Sequence, residues 1–224
     1  MSTIKIYFTR NQMSKTNDFK KGALYVVATP IGNLEDISMR ALRVMKDADI
    51  IVAEDTRHTK VMLNSFQISK PLVSLHEHNE KEKSAMIIEK LSAGKDIVYV
   101  TDAGTPCISD PGYFLISKAH DKNIKVIPVP GPSAVIAALS VSGFPADKFV
   151  FCGFLPTRQN DRKKYLQTLK PEERTMVFYE SPMRIIASLN DLRDILGNRE
   201  IVLAREMTKK FEEIRRGDIS AIID

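Results

Sequence analysis

From residue 23 onward, short apolar runs alternate with stretches of helical period. ALYVVAT, residues 23–29, is a buried-strand pattern that stops at Pro30 and Gly32, residues that close a strand and open a loop. Residues 37–46 then predict a helix, with Ile37, Ala41, Leu42 and Met45 on one face. A strand is expected at 49–53, a helix at 56–66 and an extended segment at 71–75. Asn79, with Glu82 three residues on, resembles a capping box ahead of a helix that buries Met86, Ile87 and Leu91 and ends near Gly94. A strand at 96–101, a helix at 111–118 and a strand at 124–127 follow.

Alternation of this kind predicts a mostly parallel sheet covered on both faces, with ligands held beyond the carboxyl ends of its strands. Pro128, Pro130, Gly131 and Pro132 are the densest punctuation in the chain and mark a hinge or a rigid loop at 128–132. Beyond it, helices are expected at 133–139, 161–169 and 182–196, and strands at 149–151, 175–179 and 201–204. GDISAIID, residues 217–224, starts a short helix capped by Asp218. The expected organisation is a flexible extension at 1–21, an N-terminal α/β domain at 22–130 and a smaller mixed α/β domain at 131–224, shortened at its end.

Composition adjusts this picture only slightly. With 43% hydrophobic and 27% charged residues the chain is globular, and no run is long enough to cross a bilayer. Cys107 and Cys152 stand far apart with no C-x-x-C pair, as two small hydrophobes of a reducing compartment would. The net charge of +5 is concentrated at the amino end, where Lys5, Arg10, Lys15, Lys20 and Lys21 face Asp18 alone, a net +4. The rest of the chain carries only +1, so affinity for a nucleic acid has to come from local patches.

Several loops carry candidate chemistry. No G-x-G-x-x-G and no G-x-x-x-x-G-K-[ST] occurs, which argues against the standard dinucleotide and P-loop sites. VATPIGN (27–33) is either a plain turn or a constrained backbone that leaves room for a cofactor. DAGTPCISDPG (102–112) combines glycines that permit close approach with prolines that lower the cost of order, and Asp102 can accept a ligand's hydroxyl or ammonium proton. PVPGPSA (128–134) offers amides at a helix start to a carboxylate.

EDTRHT (54–59) gathers Glu54, Asp55, Arg57 and His58 directly after a strand, for substrate handling or as an internal charge network. In LHEHNE (75–80), His76 and His78 share a face, but no cysteine completes a zinc site and no metal is expected. Arg158, Arg162, Lys163 and Lys164 form a basic cluster beside Phe154, and Arg215 and Arg216 add a second. Each is either a phosphate contact or an ordinary soluble helix surface.

VATPIGNLEDIS, EDTRHT, HEHNE, DAGTPCISDPG, PGPSAVIAALSVSG, GFLP, FYESPMR and LAREMTKKFEE follow one another between Val27 and Glu213. In this series the chain resembles the tetrapyrrole-methylase-fold enzymes, and among them the bacterial small-subunit ribosomal-RNA methyltransferases that act on a cytidine ribose 2′-oxygen. The resemblance implies a cytoplasmic homodimer with two α/β domains per subunit and S-adenosylmethionine in the cleft between them. It places the cofactor against Pro30, Asp102, Ala103, Gly104, Thr105, Pro106, Ser133, Ala134, Phe154, Leu155 and Ala204. It turns Arg57, His76, His78, Asn79, Arg158, Arg162 and Lys163 toward the RNA of the small ribosomal subunit or toward the dimer partner, with neither DNA nor membrane involved.

The expected proton acceptors are Asp55 or Glu54, then His58. Met183 departs from the family pattern, which has histidine there. Two rival readings are methylation of a tetrapyrrole precursor in the same fold and a noncatalytic protein that binds ribosomal RNA or an assembly intermediate.

Overall fold

A computed structural model describes residues 21–224; the extension expected at 1–21 lies almost wholly outside the described residues. Its first half alternates strand and helix: β1 (Ala23–Val27), α1 (Met39–Asp47), β2 (Ile50–Ala53), α2 (Thr56–Ser65), β3 (Leu72–Ser74), α3 (Glu80–Ser92), β4 (Ile97–Val100), α4 (Tyr113–Asp121) and β5 (Lys125–Val129). The five strands form one sheet in the order β3-β2-β4-β1-β5, with every pair parallel.

The two-residue period of the strands divides the core. Val27, Ile51, Ala53, Val98 and Val100 pack on Ala41 and Met45 of α1 and on Met62 and Leu63 of α2. Leu24, Val52, Ile97 and Tyr99 point the other way, onto Ile87, Ile88 and Leu91 of α3 and Leu115 and Ala119 of α4. Burial on both faces explains why these strands are continuous apolar runs.

The second half holds α5 (Ala134–Ser142), β6 (Phe149–Phe154), α6 (Gln159–Thr168), β7 (Thr175–Tyr179), α7 (Ile185–Leu196), β8 (Glu200–Arg205), β9 (Glu213–Asp218) and α8 (Ile219–Ile223). β6 and β7 pair in parallel, and β8 and β9 pair antiparallel, so this part is mixed as expected. Leu155, Leu166 and Leu196 form one small core, and Leu189, Ile219 and Ile222 another.

Four local expectations are corrected. Pro128 lies inside β5 and is paired with Val26; an edge strand tolerates the missing N–H, so the loop starts later than 128. α4 starts at Tyr113 because Gly112 has φ +121, incompatible with a helix running through 111. Asn79 does not cap α3 with its side chain, which instead accepts from the His76 amide at 2.9 Å. Strand β9 takes up residues 213–218, where the hydrophobic pattern predicts no strand, although Arg215 and Arg216 remain exposed on it, and the Asp218 side chain makes no cap bond to α8.

Candidate functional site

The carboxyl ends of the parallel strands carry the loops singled out by composition, and the fold ties them together. Thr29, after β1, exchanges both backbone hydrogen bonds with Gly104, after β4, at 2.9 and 3.0 Å. The Thr105 hydroxyl donates to Pro132 O at 3.1 Å, which adds the loop after β5. The Asp55 amide donates to Asp102 Oδ1 at 3.0 Å, which adds the loop after β2. Pro30, Asp102, Ala103, Gly104, Thr105, Pro106 and Ser133 therefore belong to one constellation.

The second half closes on it. Tyr179, at the end of β7, lies tilted against Phe154 with ring centroids 5.4 Å apart and meets Phe151 edge-on at 4.9 Å. Burial raises the pKa of its phenol, as does the charge of Asp110, while the Val135 amide opposes the rise. Phe154 stays exposed, whereas Leu155 is buried in the core of the second half. Ala204 falls elsewhere. It lines a cavity of about 340 Å³ with Glu180, Pro182, Ile185 and Arg215. A cavity of about 300 Å³ touches the loop cluster itself, bounded by Ile31, Asp36, Pro132, Ser133, Ala137 and Thr208.

Electrostatically the cluster is acidic. The carboxyl of Glu54 is raised above its ordinary range by burial first, then by the charges of Asp102 and Asp110. Asp110 is raised too, by burial and then by Asp102, against the Thr101 hydroxyl, which faces it without closing a hydrogen bond. A cation entering here would relieve both carboxylates at once. Ser133 leaves the first turn of α5 without a side-chain cap, and Ala134 opens that turn, so its amides can receive an anion. A ligand with a positive centre and a separate carboxylate fits these groups.

The neighbouring EDTR residues divide by role. Asp55 caps α2 by accepting from the Arg57 amide at 2.8 Å, and both its oxygens take the Arg57 guanidinium. Those bonds hold its carboxyl far below the usual carboxylate range, so Asp55 is a poor proton acceptor; of the pair expected first, Glu54 remains. Arg57 is 90% exposed despite that pairing, and His58 is exposed beside it.

His76 and Asn79 bond to each other at 3.1 Å in the loop before α3, and His78 is exposed. Among the basic residues, Arg162 is a correction. It is 4% exposed, paired with Asp191 at 2.6 Å and donating to Pro156 O and Thr157 O, so it serves the interior of the second half and not a phosphate. Arg158 is exposed, and Lys163 is half-exposed at 3.4 Å from Asp191.

The sequence does not single out Asp110, Tyr179 or Glu80, whose carboxylate accepts from the amides of Gly112 and Phe114 where the 102–112 loop ends. Asp110 lies in the 102–112 loop, but its proximity to Glu54 depends on strands distant in sequence. Among the described residues, no group of three or more His, Cys, Asp and Glu side chains is arranged to hold a metal ion. No helix among them is long and apolar enough to cross a membrane.

A parallel five-stranded sheet with loops gathered at its carboxyl edge, followed by a mixed α/β part, defines the tetrapyrrole-methylase fold. The crystal structure of uroporphyrin-III C-methyltransferase from Thermus thermophilus, complexed with S-adenyl homocysteine, superimposes with a TM-score of 0.62 at 18% identity, over 90% of each chain. The family model for Tetrapyrrole (Corrin/Porphyrin) Methylases matches residues 23–223, and the chain belongs to that family. It is 50% identical over 204 residues to ribosomal RNA small subunit methyltransferase I of Pseudomonas aeruginosa, spanning 91% of this chain and 72% of that one. It is also 50% identical to the protein of the same name from Thermotoga maritima, over 90% of each.

Proposed function

We propose that this protein transfers the methyl group of S-adenosylmethionine to the 2′-hydroxyl of a cytidine ribose in small-subunit ribosomal RNA. In this reading it works in the cytoplasm as a homodimer, with domains at 22–130 and 131–224. The observation that carries the activity is the 50% identity, across nine tenths of the chain, to relatives named for that ribosomal RNA. The acidic cleft is in keeping with a cationic donor.

When bound, the donor supplies an electrophilic methyl carbon on a positive sulfur. The chain's own task is alignment and proton removal. Asp102 and the turn through Pro106 stand opposite Ser133 and Ala134, a frame made rigid by the Thr29–Gly104 pair, with Pro30 and Phe154 at its margins. Fixed geometry of this kind lowers a displacement barrier by several kcal/mol, up to roughly 7–11 in favourable cases. Glu54 receives the hydroxyl proton; its raised affinity for protons makes it a stronger base than an ordinary carboxylate. Arg57, His58, His78, Arg158 and Lys163, exposed or half-exposed, contact the RNA backbone.

The test is incubation of the protein with labelled donor and small subunits from an unmodified strain, followed by mapping of the label. Sugar-linked label on a cytidine is expected. Label only on a small cyclic acceptor would replace this function with the tetrapyrrole one, and binding to subunits without any transfer would reduce it to a noncatalytic role.

A further inference from the structure

β8 ends at Arg205 and the chain returns in β9 at Glu213 through a turn, residues 206–212, with an unusual conformation. Glu206 and Thr208 adopt φ +50 and +65, a region costly for side chains that branch. Internal bonds hold it there. The Thr208 amide donates to Glu212 Oε2 at 2.6 Å, the Lys209 amide to Glu206 O at 3.0 Å, and the Glu212 amide to Lys209 O at 3.1 Å. The Lys209 ammonium pairs with Glu206 at 3.1 Å.

One side of this turn is seated on the cleft. A Cβ at Gly32 would come within 2.6–2.9 Å of Lys209 Cγ, Thr208 Oγ1 and Met207 O, and Thr208 lines the cavity beside Pro132 and Ser133. The other side displays Phe211, 74% exposed, with Lys210 Nζ 5.5 Å from its ring centroid. The strained, self-bonded turn thus sets an aromatic ring and a cation in water at the margin of the cleft.

From this placement we propose that the 206–212 turn is a nucleotide platform: Phe211 stacks on an unpaired base flanking the methylated ribose, and Lys210 meets the adjoining phosphate. The proposal rests on the ribosomal-RNA reading above. An aromatic face beside a single cation matches the alternation of base and phosphate along a single strand, and such stacking tolerates any base. Within the turn Lys209 is paired with Glu206 and Glu212 accepts from the Thr208 amide, so Lys210, beside the exposed ring, is the cation left to meet a phosphate.

The experiment is single-turnover transfer from labelled donor to unmodified small subunits, with subunit concentration varied. Wild type is expected to transfer label; if it does not, the ribosomal-RNA reading fails and takes the platform with it. Given transfer, Phe211→Ala should raise the half-saturating subunit concentration about tenfold or more. Donor affinity by calorimetry and the melting temperature should stay at wild-type values, and Phe211→Trp should restore saturation. Equal half-saturation for wild type and Phe211→Ala overturns the platform. A loss that Trp fails to rescue also overturns it, because it assigns Phe211 to shape-specific packing on a ribosomal protein.

Discussion

The carboxylate of Glu80 accepts a hydrogen bond from the amide of Gly112 at 3.1 Å, and the same oxygen accepts from Phe114 and Leu115 at 2.9 and 3.4 Å. A residue in the first turn of α3 thereby caps α4 from outside and ends the 102–112 loop. Tyr99 fixes the other side, donating to Pro111 O at 2.6 Å. A Cβ at Gly112 would lie 2.8 Å from that hydroxyl and 2.9 Å from Cys107 Sγ, at a φ of +121 that side chains rarely adopt. Glu80→Ala is expected to lower stability by about 1–2 kcal/mol in urea denaturation, as loss of a cap does. It should also weaken donor binding in calorimetry, because the loop that carries Asp102 loses its far anchor.

Glu54→Gln separates chemistry from stability. Single-turnover methylation at saturating donor should fall about 10²–10⁴-fold, and the cationic donor should bind more weakly in calorimetry because the cleft loses one of its carboxylates. Stability moves the other way. A carboxyl whose folded pKa is raised above 4.5 loses stability as pH climbs through that window, because the fold prefers its protonated form. The glutamine variant should therefore melt higher than wild type at neutral pH and alike near about pH 4. Identical melting curves at both pH values would show that burial does not strain this carboxylate.

The framework was legible in the sequence because both faces of the first sheet are covered. Runs such as 97–100 and 50–53 have no other use than burial, and their spacing forces parallel crossovers. Strand β9 was not legible: EIRRGD carries no alternation that marks a strand, and it forms because each residue has a partner on β8, Leu203 opposite Arg215 among them. The site was legible as loops but not as roles. Asp55 and Glu54 are adjacent, yet one is absorbed by Arg57 and the other is pushed toward Asp110 by strand packing. Arg162 is indistinguishable from Lys163 and Lys164 in the sequence, and only the position of α7 delivers Asp191 to it.

That buried pair gives a third expectation. Burial pushes the Asp191 carboxyl up, but Gln159, Arg162 and Lys163 outweigh it, and the net result is a pKa below 3.8. Its stabilising contribution is present above the unfolded pKa and is lost as pH falls through the folded one. Arg162→Ala leaves a buried carboxylate without its main partner and should cost about 3–5 kcal/mol in urea denaturation. Arg158→Ala, at an exposed position, should leave stability within about 0.5 kcal/mol and weaken RNA binding in a salt-dependent manner.

Gly32 and Gly197 offer a contrast between collision and backbone strain. Gly32 has an ordinary φ, but an added methyl meets the backbone oxygen of Met207 at 2.9 Å, so the 206–212 turn has to move. Gly197 has φ +88 with nothing within 4 Å of the added carbon, so alanine there costs only conformational strain, roughly 1–3 kcal/mol, felt at the end of α7. Hydrogen exchange distinguishes the two. Gly32→Ala should strip protection from the Thr208 and Glu212 amides, whose bonds shape the turn, while the amides of β1 and β4 keep theirs. Gly197→Ala should leave the turn protected and fray residues at the carboxyl end of α7. If Gly32→Ala left the Thr208 amide as protected as in wild type, the seat between the first loop and the turn would not be what holds the turn in place.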